Sequence, residues 1–257
     1  MTVNGQVNMV QFTMKAAEQV VAVSALFQST RKFCREYLCD AEPDFSVEIS
    51  SDDITFEREM ANHDRMLEGL PLEQLEDHLL ERTALQRKIA ENLFEYDTLV
   101  FHGSVIAVDG EAYLFTAKSG TGKSTHTRLW REMLGDRAVM INDDKPFLRI
   151  TPDEIYVYGS PWNGKHHLGS NIDVPLKAIC ILERGVQNEI RRISPKEAVG
   201  MLLQQSNRPK RPTLLPKYMD LLESVANIAA FYRLKCNTEP EAAEISYRAM
   251  SGNVKEK

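Results

Sequence analysis

Phe45, Val47 and Ile49 alternate with Ser46 and Glu48, a period of two that predicts a half-buried strand. Val20 to Val23 predicts a short strand before it, and Gln28 to Leu38 reads as a helix followed by a turn at Asp40 to Asp44. Ser51-Asp52-Asp53 supplies helix-start chemistry ahead of Phe56 and Met60. Pro71 is expected to open a long helix to about Phe94. Leu72, Leu75, Leu79, Gln86, Ile89 and Leu93 mark its face, with charges between them. Residues 1 to about 10 are polar and expected to fray.

The pattern changes near Leu99. Leu99 to His102 and Val105 to Val108 are strand-like, Asp109-Gly110 is a hairpin turn pair, and Glu111 to Thr116 has the content of a buried strand. Leu129, Trp130, Met133 and Leu134 then recur at helical spacing up to a stop at Gly135. Further strands are predicted at Ala138 to Asn142, Ile155 to Tyr158, Ala178 to Leu182 and Phe231 to Leu234. Thr238-Glu239-Pro240-Glu241 reads as a capping box opening a last helix, and Ser251 to Lys257 as a polar tail. The chain thus divides into an α+β portion over residues 1–95, which packs or presents substrate, an α/β core over 96–250, and a flexible tail over 251–257.

At 257 residues the chain can hold one large domain or a core and a smaller companion. Its net charge of −6, with no long basic run, points away from nucleic-acid binding. No apolar run approaches the roughly 20 residues needed to span a bilayer, and no signal peptide is recognisable. Cys34, Cys39, Cys180 and Cys236 form no C-x-x-C pair; free thiols fit a cytoplasmic location.

The chemistry concentrates in Ala117-Lys118-Ser119-Gly120-Thr121-Gly122-Lys123-Ser124-Thr125, directly after the strand ending at Thr116. This is the phosphate-binding loop pattern with alanine at its first glycine. Glycines at 120 and 122 let successive N–H groups turn into one concavity. Lys123 carries charge to the β- and γ-phosphates, the Ser124 hydroxyl is a Mg²⁺ ligand, and the helix N-terminus adds positive potential. Asp143-Asp144, at the end of the next predicted strand, is placed for metal binding and proton acceptance. His102 is predicted near the loop strand through the hairpin, whereas His126 on the following helix is expected at the surface or behind the site. In the Gly159 to His167 loop, Lys165 is a candidate for stabilising a transferred phosphoryl group and Trp162 for walling a substrate pocket. A zinc site on His166 and His167 is the weaker reading, since adjacent histidines need further ligands. Arg208, Lys210, Arg211 and Lys217 read as a solvated stretch or as a segment closing over phosphates.

The order His-Gly on a strand, then S-G-T-G-K-S-T, then Asp-Asp resembles HPr kinase/phosphorylase and the superfamily it shares with phosphoenolpyruvate carboxykinase. Together with F-H-G-S, N-D-D-K-P and P-W-x-G-K, it is similar to small HPr-kinase-like proteins over roughly residues 98 to 185. The resemblance implies a P-loop kinase core with a mixed sheet flanked by helices, and an oligomer. It implies ATP and Mg²⁺ bound by 117–125, Asp143 as the base for a serine hydroxyl, Asp144 assisting the metal and His102 beside them. Thr125 stands where the kinase/phosphorylase carries glutamate, and no G-R-N signature follows, so dephosphorylation and recognition of HPr are not implied. The expected activity is transfer of the γ-phosphoryl group of ATP to a hydroxyl of a protein, peptide or small molecule. The alternative is an ATP-sensing module that transfers nothing.

Overall fold

The computed structural model describes residues 9–252. The chain forms two compact units, Met1–Asn92 and Leu93–Lys257. The predicted frayed start falls mostly on residues 1–8 and the predicted tail mostly on 253–257, outside the described residues.

In the first unit, β1 (Val10–Ala16) and β2 (Gln19–Ala25) form an antiparallel hairpin, and β3 (Phe45–Glu48) joins β2 in parallel. β1 carries no element in the sequence reading; its outward Gln11, Thr13 and Lys15 are interleaved with Phe12, Met14 and Ala16, which are buried. The helix expected over Gln28 to Leu38 is shorter: α1 (Gln28–Phe33) gives way to a 3-10 turn at Arg35–Tyr37, and Leu38 bridges back to Met14. α2 (Ser51–Leu67) is capped one residue earlier than read, by Ser50, in a reciprocal box with Asp53.

Pro71 does not open a helix. α3 runs Asp77–Leu93, and the segment before it is tied to α2 through two of its carbonyls. Arg65 Nε donates to Pro71 O at 2.6 Å and Arg58 Nη1 to Leu75 O at 2.7 Å. α3 is held to α2 by Arg87, which reaches Glu57 at 2.5 Å and Asp53 at 3.1 Å, and by Lys88, which reaches Asp53 at 2.6 Å. The Glu81 side chain, fully buried, accepts from Leu26 N, Phe27 N and Thr30 Oγ1, fixing the β2–α1 junction.

The second unit is a mixed nine-stranded sheet flanked by helices. Its strands are β4 (Thr98–Val100), β5 (Ser104–Val108), β6 (Glu111–Thr116), β7 (Ala138–Asn142), β8 (Phe147–Ile150), β9 (Ile155–Tyr158), β10 (Asp173–Arg184), β11 (Glu189–Ile193) and β12 (Ala230–Cys236). The order is β4-β8-β9-β10-β6-β5-β7, with β12 and then β11 branching from β10. β10 makes the branch possible. Asp173 to Pro175 pair antiparallel with β9, and from Ala178 onward the strand pairs parallel with β12, while β6 lies parallel on its other side. β5 returns antiparallel from β6 through Asp109 (φ 51°) and Gly110 (φ 85°), the left-handed pair expected of a two-residue turn.

Alternate residues of the central strands serve two cores. Val105, Leu114, Ile179 and Ile181 pack with Leu202, Tyr218 and Leu222 of α5 (Pro195–Gln205) and α6 (Leu215–Ile228). Ile106, Phe115, Cys180 and Leu182 pack with Leu129 and Trp130 of α4 (Lys123–Leu134) and Ala242 and Ala243 of α7 (Glu241–Met250). Burial on both faces explains the uninterrupted apolar runs of β5 and β6. α5, α6, β8 and β11 have no counterpart in the sequence reading. α7 begins after Pro240, and Asn237 Oδ1, not Thr238, accepts the Glu239 N–H at 3.0 Å.

Candidate functional site

The loop between β6 and α4 turns on Gly120 (φ 73°) and Gly122 (φ 123°), positions a side chain would strain. Ala117, at its start, has no exposure and belongs to the α4-side core, so a small apolar residue fits there. Lys123 opens α4 and its Nζ donates to Ala117 O at 3.2 Å across the loop mouth. Burial holds the Lys123 ammonium below its ordinary pKa, partly offset by the Asp144 charge.

Facing the loop is the turn after β7. Asn142, with no exposure, builds it. Its Oδ1 accepts from Asp144 N at 2.8 Å and Lys145 N at 2.7 Å. Its Nδ2 donates to Ser160 O at 3.1 Å, Ser160 Oγ at 3.0 Å and Asn163 Oδ1 at 2.7 Å. The Gly159–His167 loop is thereby bound to the Asp143-Asp144 turn. Gly164 (φ 65°) approaches so closely that an added Cβ would lie 3.3 Å from Asp144 Cβ.

Asp143 is buried, and Ser104 Oγ donates to its Oδ1 at 2.6 Å. Ser104 Oγ lies 2.9 Å from Thr127 Oγ1 of α4, so β5, α4 and the acidic turn share one hydrogen-bonded line. His102 sits at the head of β5, where Gly103 N donates to Asp144 O at 3.0 Å. A Cβ on Gly103 would lie 3.1 Å from Phe115 O, which accounts for the glycine in F-H-G-S. His102 Nε2 is 3.4 Å from Asp144 Oδ1. Burial, then the charges of Lys145 and Lys123, push the His102 pKa down to about 4, so the imidazole is neutral near pH 7 and the contact is not an ion pair there. Burial pushes the Asp144 carboxyl up, against the pull of Lys145 and Lys123.

These groups meet around one cleft of about 560 Å³. His102, Ser119, Gly120, Gly122, Lys123, Ser124, Thr125, Asp143, Asp144 and Lys165 all line it. Of the remaining predicted loop residues, Ala117 is buried, Lys118 is exposed and Thr121 faces a neighbouring pocket. Ser124 and Asp144 could hold a Mg²⁺ ion: one hydroxyl and one carboxylate lining the same cleft leave positions for water and phosphate oxygens, the ligand set this ion favours. Among the described residues there is no cluster of three or more His, Cys, Asp and Glu side chains able to hold a metal, which leaves His166 and His167 without the partners zinc needs.

One expectation changes, and two that stood between alternatives are narrowed. Trp162 is buried against Phe147, ring centroids 6.3 Å apart, and is not among the residues lining the cleft. Of the two places open to His126, the surface is excluded: the ring is buried, its Nε2 lies 3.0 Å from Ser246 Oγ and it packs on Phe115. Lys217 pairs with Asp97, and none of Arg208, Lys210 and Arg211 lines the cleft. The sequence reading assigned no role to Ser104, Thr127, Asn142 or Lys145. Their signal was available as polar residues inside or just beyond apolar strands and at one-turn spacing after Lys123, but only their contacts reveal what they hold.

No helix of the described residues is long and apolar enough to cross a membrane. No curated protein matches the chain. A solved structure of the HPr(Ser) kinase/phosphatase from Coxiella burnetii aligns at 10% identity and a TM-score of 0.37, covering 61% of this chain and 99% of that one. The model of the family described as SynChlorMet cassette protein ScmC matches residues 72–217, a span holding the glycine loop, the acidic turn and Lys165; the chain belongs to that family.

Proposed function

We propose that the chain is an ATP- and Mg²⁺-dependent kinase that transfers the γ-phosphoryl group to a hydroxyl of a protein, peptide or small molecule. The observation that carries this reading is the convergence of the Gly120–Thr125 loop with Asp143 and Asp144 on a single cleft. Phosphates lie against the loop N–H groups and Lys123, at the N-terminus of α4. Ser124 and Asp144 would hold Mg²⁺, which would supply positive charge against the developing negative charge of the phosphates.

Asp143 has one oxygen engaged by Ser104, which leaves Oδ2 for the acceptor hydroxyl. As the acceptor oxygen bonds to the γ-phosphorus, the bond from that phosphorus to the β-bridging oxygen breaks, ADP departs, and the hydroxyl proton passes to the Asp143 carboxylate. Neutral His102 hydrogen-bonds without adding charge beside Asp144, and Lys165 offers a cation to the migrating group. The buried ammonium of Lys123 gains a full partner when phosphates arrive, which reverses the cost of its desolvation.

Asp143→Asn keeps the shape and the Ser104 contact but cannot take the proton. Nucleotide binding by titration calorimetry should persist while turnover, read as transfer of γ-labelled phosphate to an acceptor identified by product mass, falls by about 10²–10⁴-fold. Turnover at the unsubstituted level would refute the role of Asp143. Label transferred to no acceptor, with ATP still bound, would favour a nucleotide sensor.

A further inference from the structure

The glycine loop has a second side. Gly120, Gly122 and Thr125 line the charged cleft and also a separate pocket of about 410 Å³, within the roughly 300–1,000 Å³ range of small-molecule sites. The two cavities differ in chemistry. Around the cleft stand Asp143, Asp144, Lys123, Lys165 and two histidines, with no apolar wall on which a heterocycle could be buried. The second pocket has Leu129 of α4, Leu182 of β10 and Cys236 of β12 as apolar walls, with Thr238 at its rim. Burying a ring on the charged side would strip water from ionised groups without replacing their partners, whereas the second pocket offers carbon surface.

We infer that this pocket receives the base and sugar of the bound nucleoside triphosphate, so that the phosphate chain runs over Gly120 to Thr125 with its terminal group toward Asp143. The inference rests on the nucleotide reading above and adds the orientation of the nucleotide and the residues that hold its nucleoside. Two further features fit it. Arg184 donates to Gly120 O at 2.6 Å, which holds a planar guanidinium at the lip, where it can stack on a ring. His126, 2% exposed, lines the same pocket and its Nδ1 is bonded to no described residue. Trp130 Nε1 donates to Ser246 Oγ at 2.8 Å, and that hydroxyl can donate to Ala242 O at 2.9 Å. The arrangement in which His126 Nε2–H then donates to Ser246 Oγ satisfies every donor and leaves Nδ1 as an acceptor in the wall. Burial pushes the His126 pKa down to about 4, which keeps the ring neutral.

The test compares ATP with inorganic tripolyphosphate, which has the phosphates and no nucleoside. Calorimetry in Mg²⁺ on the unsubstituted chain should show ATP binding at least about tenfold tighter, the worth of a modest buried apolar contact. Thr238→Trp, in an exposed loop, and Cys236→Trp, at the end of β12, both obstruct the pocket and should remove that advantage while leaving tripolyphosphate affinity within about threefold. Circular dichroism verifies the fold of each. Equal affinity for the two ligands in the unsubstituted chain, or ATP binding unaltered in a folded Thr238→Trp chain, would overturn the nucleoside assignment and leave the phosphate site standing. Binding of neither ligand by the unsubstituted chain would instead overturn the nucleotide reading itself.

Discussion

Asn142→Ala should be among the most damaging single truncations in the second unit. The side chain has no exposure and makes five hydrogen bonds between 2.7 and 3.1 Å. They are not equally costly to lose. Lys145 N has a second acceptor in Trp162 O at 3.2 Å, and Ser160 Oγ still donates to Lys145 O at 2.6 Å. Asp144 N, Ser160 O and Asn163 Oδ1 lose the bond outright. One orphaned donor at about 1–3 kcal/mol and two lost acceptor bonds at about 0.5–1.5 kcal/mol each give about 2–6 kcal/mol. Both tryptophans of the chain, Trp130 and Trp162, lie in this unit, so urea unfolding followed by tryptophan fluorescence reports on it. With a urea slope of about 2–3 kcal/mol/M, the midpoint should fall by about 0.7–3 M. Asn142→Asp supplies a control: it keeps Oδ1 for the two N–H groups but turns an acceptor toward Ser160 O and Asn163 Oδ1, so it should not rescue. A loss below about 1 kcal/mol in Asn142→Ala, or full rescue by aspartate, would refute the claim that this amide holds the acidic turn and the Gly159–His167 loop together.

Stability should also rise with pH between about 4 and 6.5. His102 and His126 are held near 4 in the folded chain, so across this window the unfolded chain binds more protons, and stability is lost as pH falls. Each shift corresponds to up to about 3 kcal/mol; His126→Gln should flatten the urea-midpoint profile by roughly half, and an unchanged slope would contradict the burial argument. In the first unit, Glu81→Ala removes the acceptor of two backbone N–H groups and the Thr30 hydroxyl, at a cost of about 3–5 kcal/mol. Hydrogen exchange at the Leu26 and Phe27 amides should accelerate; protection equal to that of the unsubstituted chain would show that Glu81 does not anchor the β2–α1 junction.

Local chemistry was legible wherever it depended on consecutive residues. The Asp109-Gly110 turn, the glycines of the loop, the stop at Gly135 and the two-sided burial of β6 follow from backbone sterics and hydrophobic period, and the chain order alone marked the loop and Asp143-Asp144 as candidate chemistry. What the sequence could not give was anything decided by a distant partner. Pro71 has the signature of a helix start, yet residues 71–76 stay outside α3 and hold instead to α2, whose arginines donate to the Pro71 and Leu75 carbonyls. Trp162 has the residue type of a pocket wall, yet Phe147 claims it from elsewhere in the fold, and only the contact with Ser246, 120 residues on, decides between the surface and a buried place for His126.

Ser104, Thr127 and Asn142 show the same division most clearly. Each is an ordinary polar residue in sequence, and each acquires its role because β5, α4 and the turn after β7 converge within hydrogen-bond reach. The sequence by itself determined the glycine loop and the buried strands around it, because turn sterics and hydrophobic period act between near neighbours. The branching of β10, the charged cleft and the neighbouring pocket that share Gly120, Gly122 and Thr125 were decided by the tertiary structure. Strand pairing and burial unite residues far apart in the chain, and no local pattern records which of them will meet.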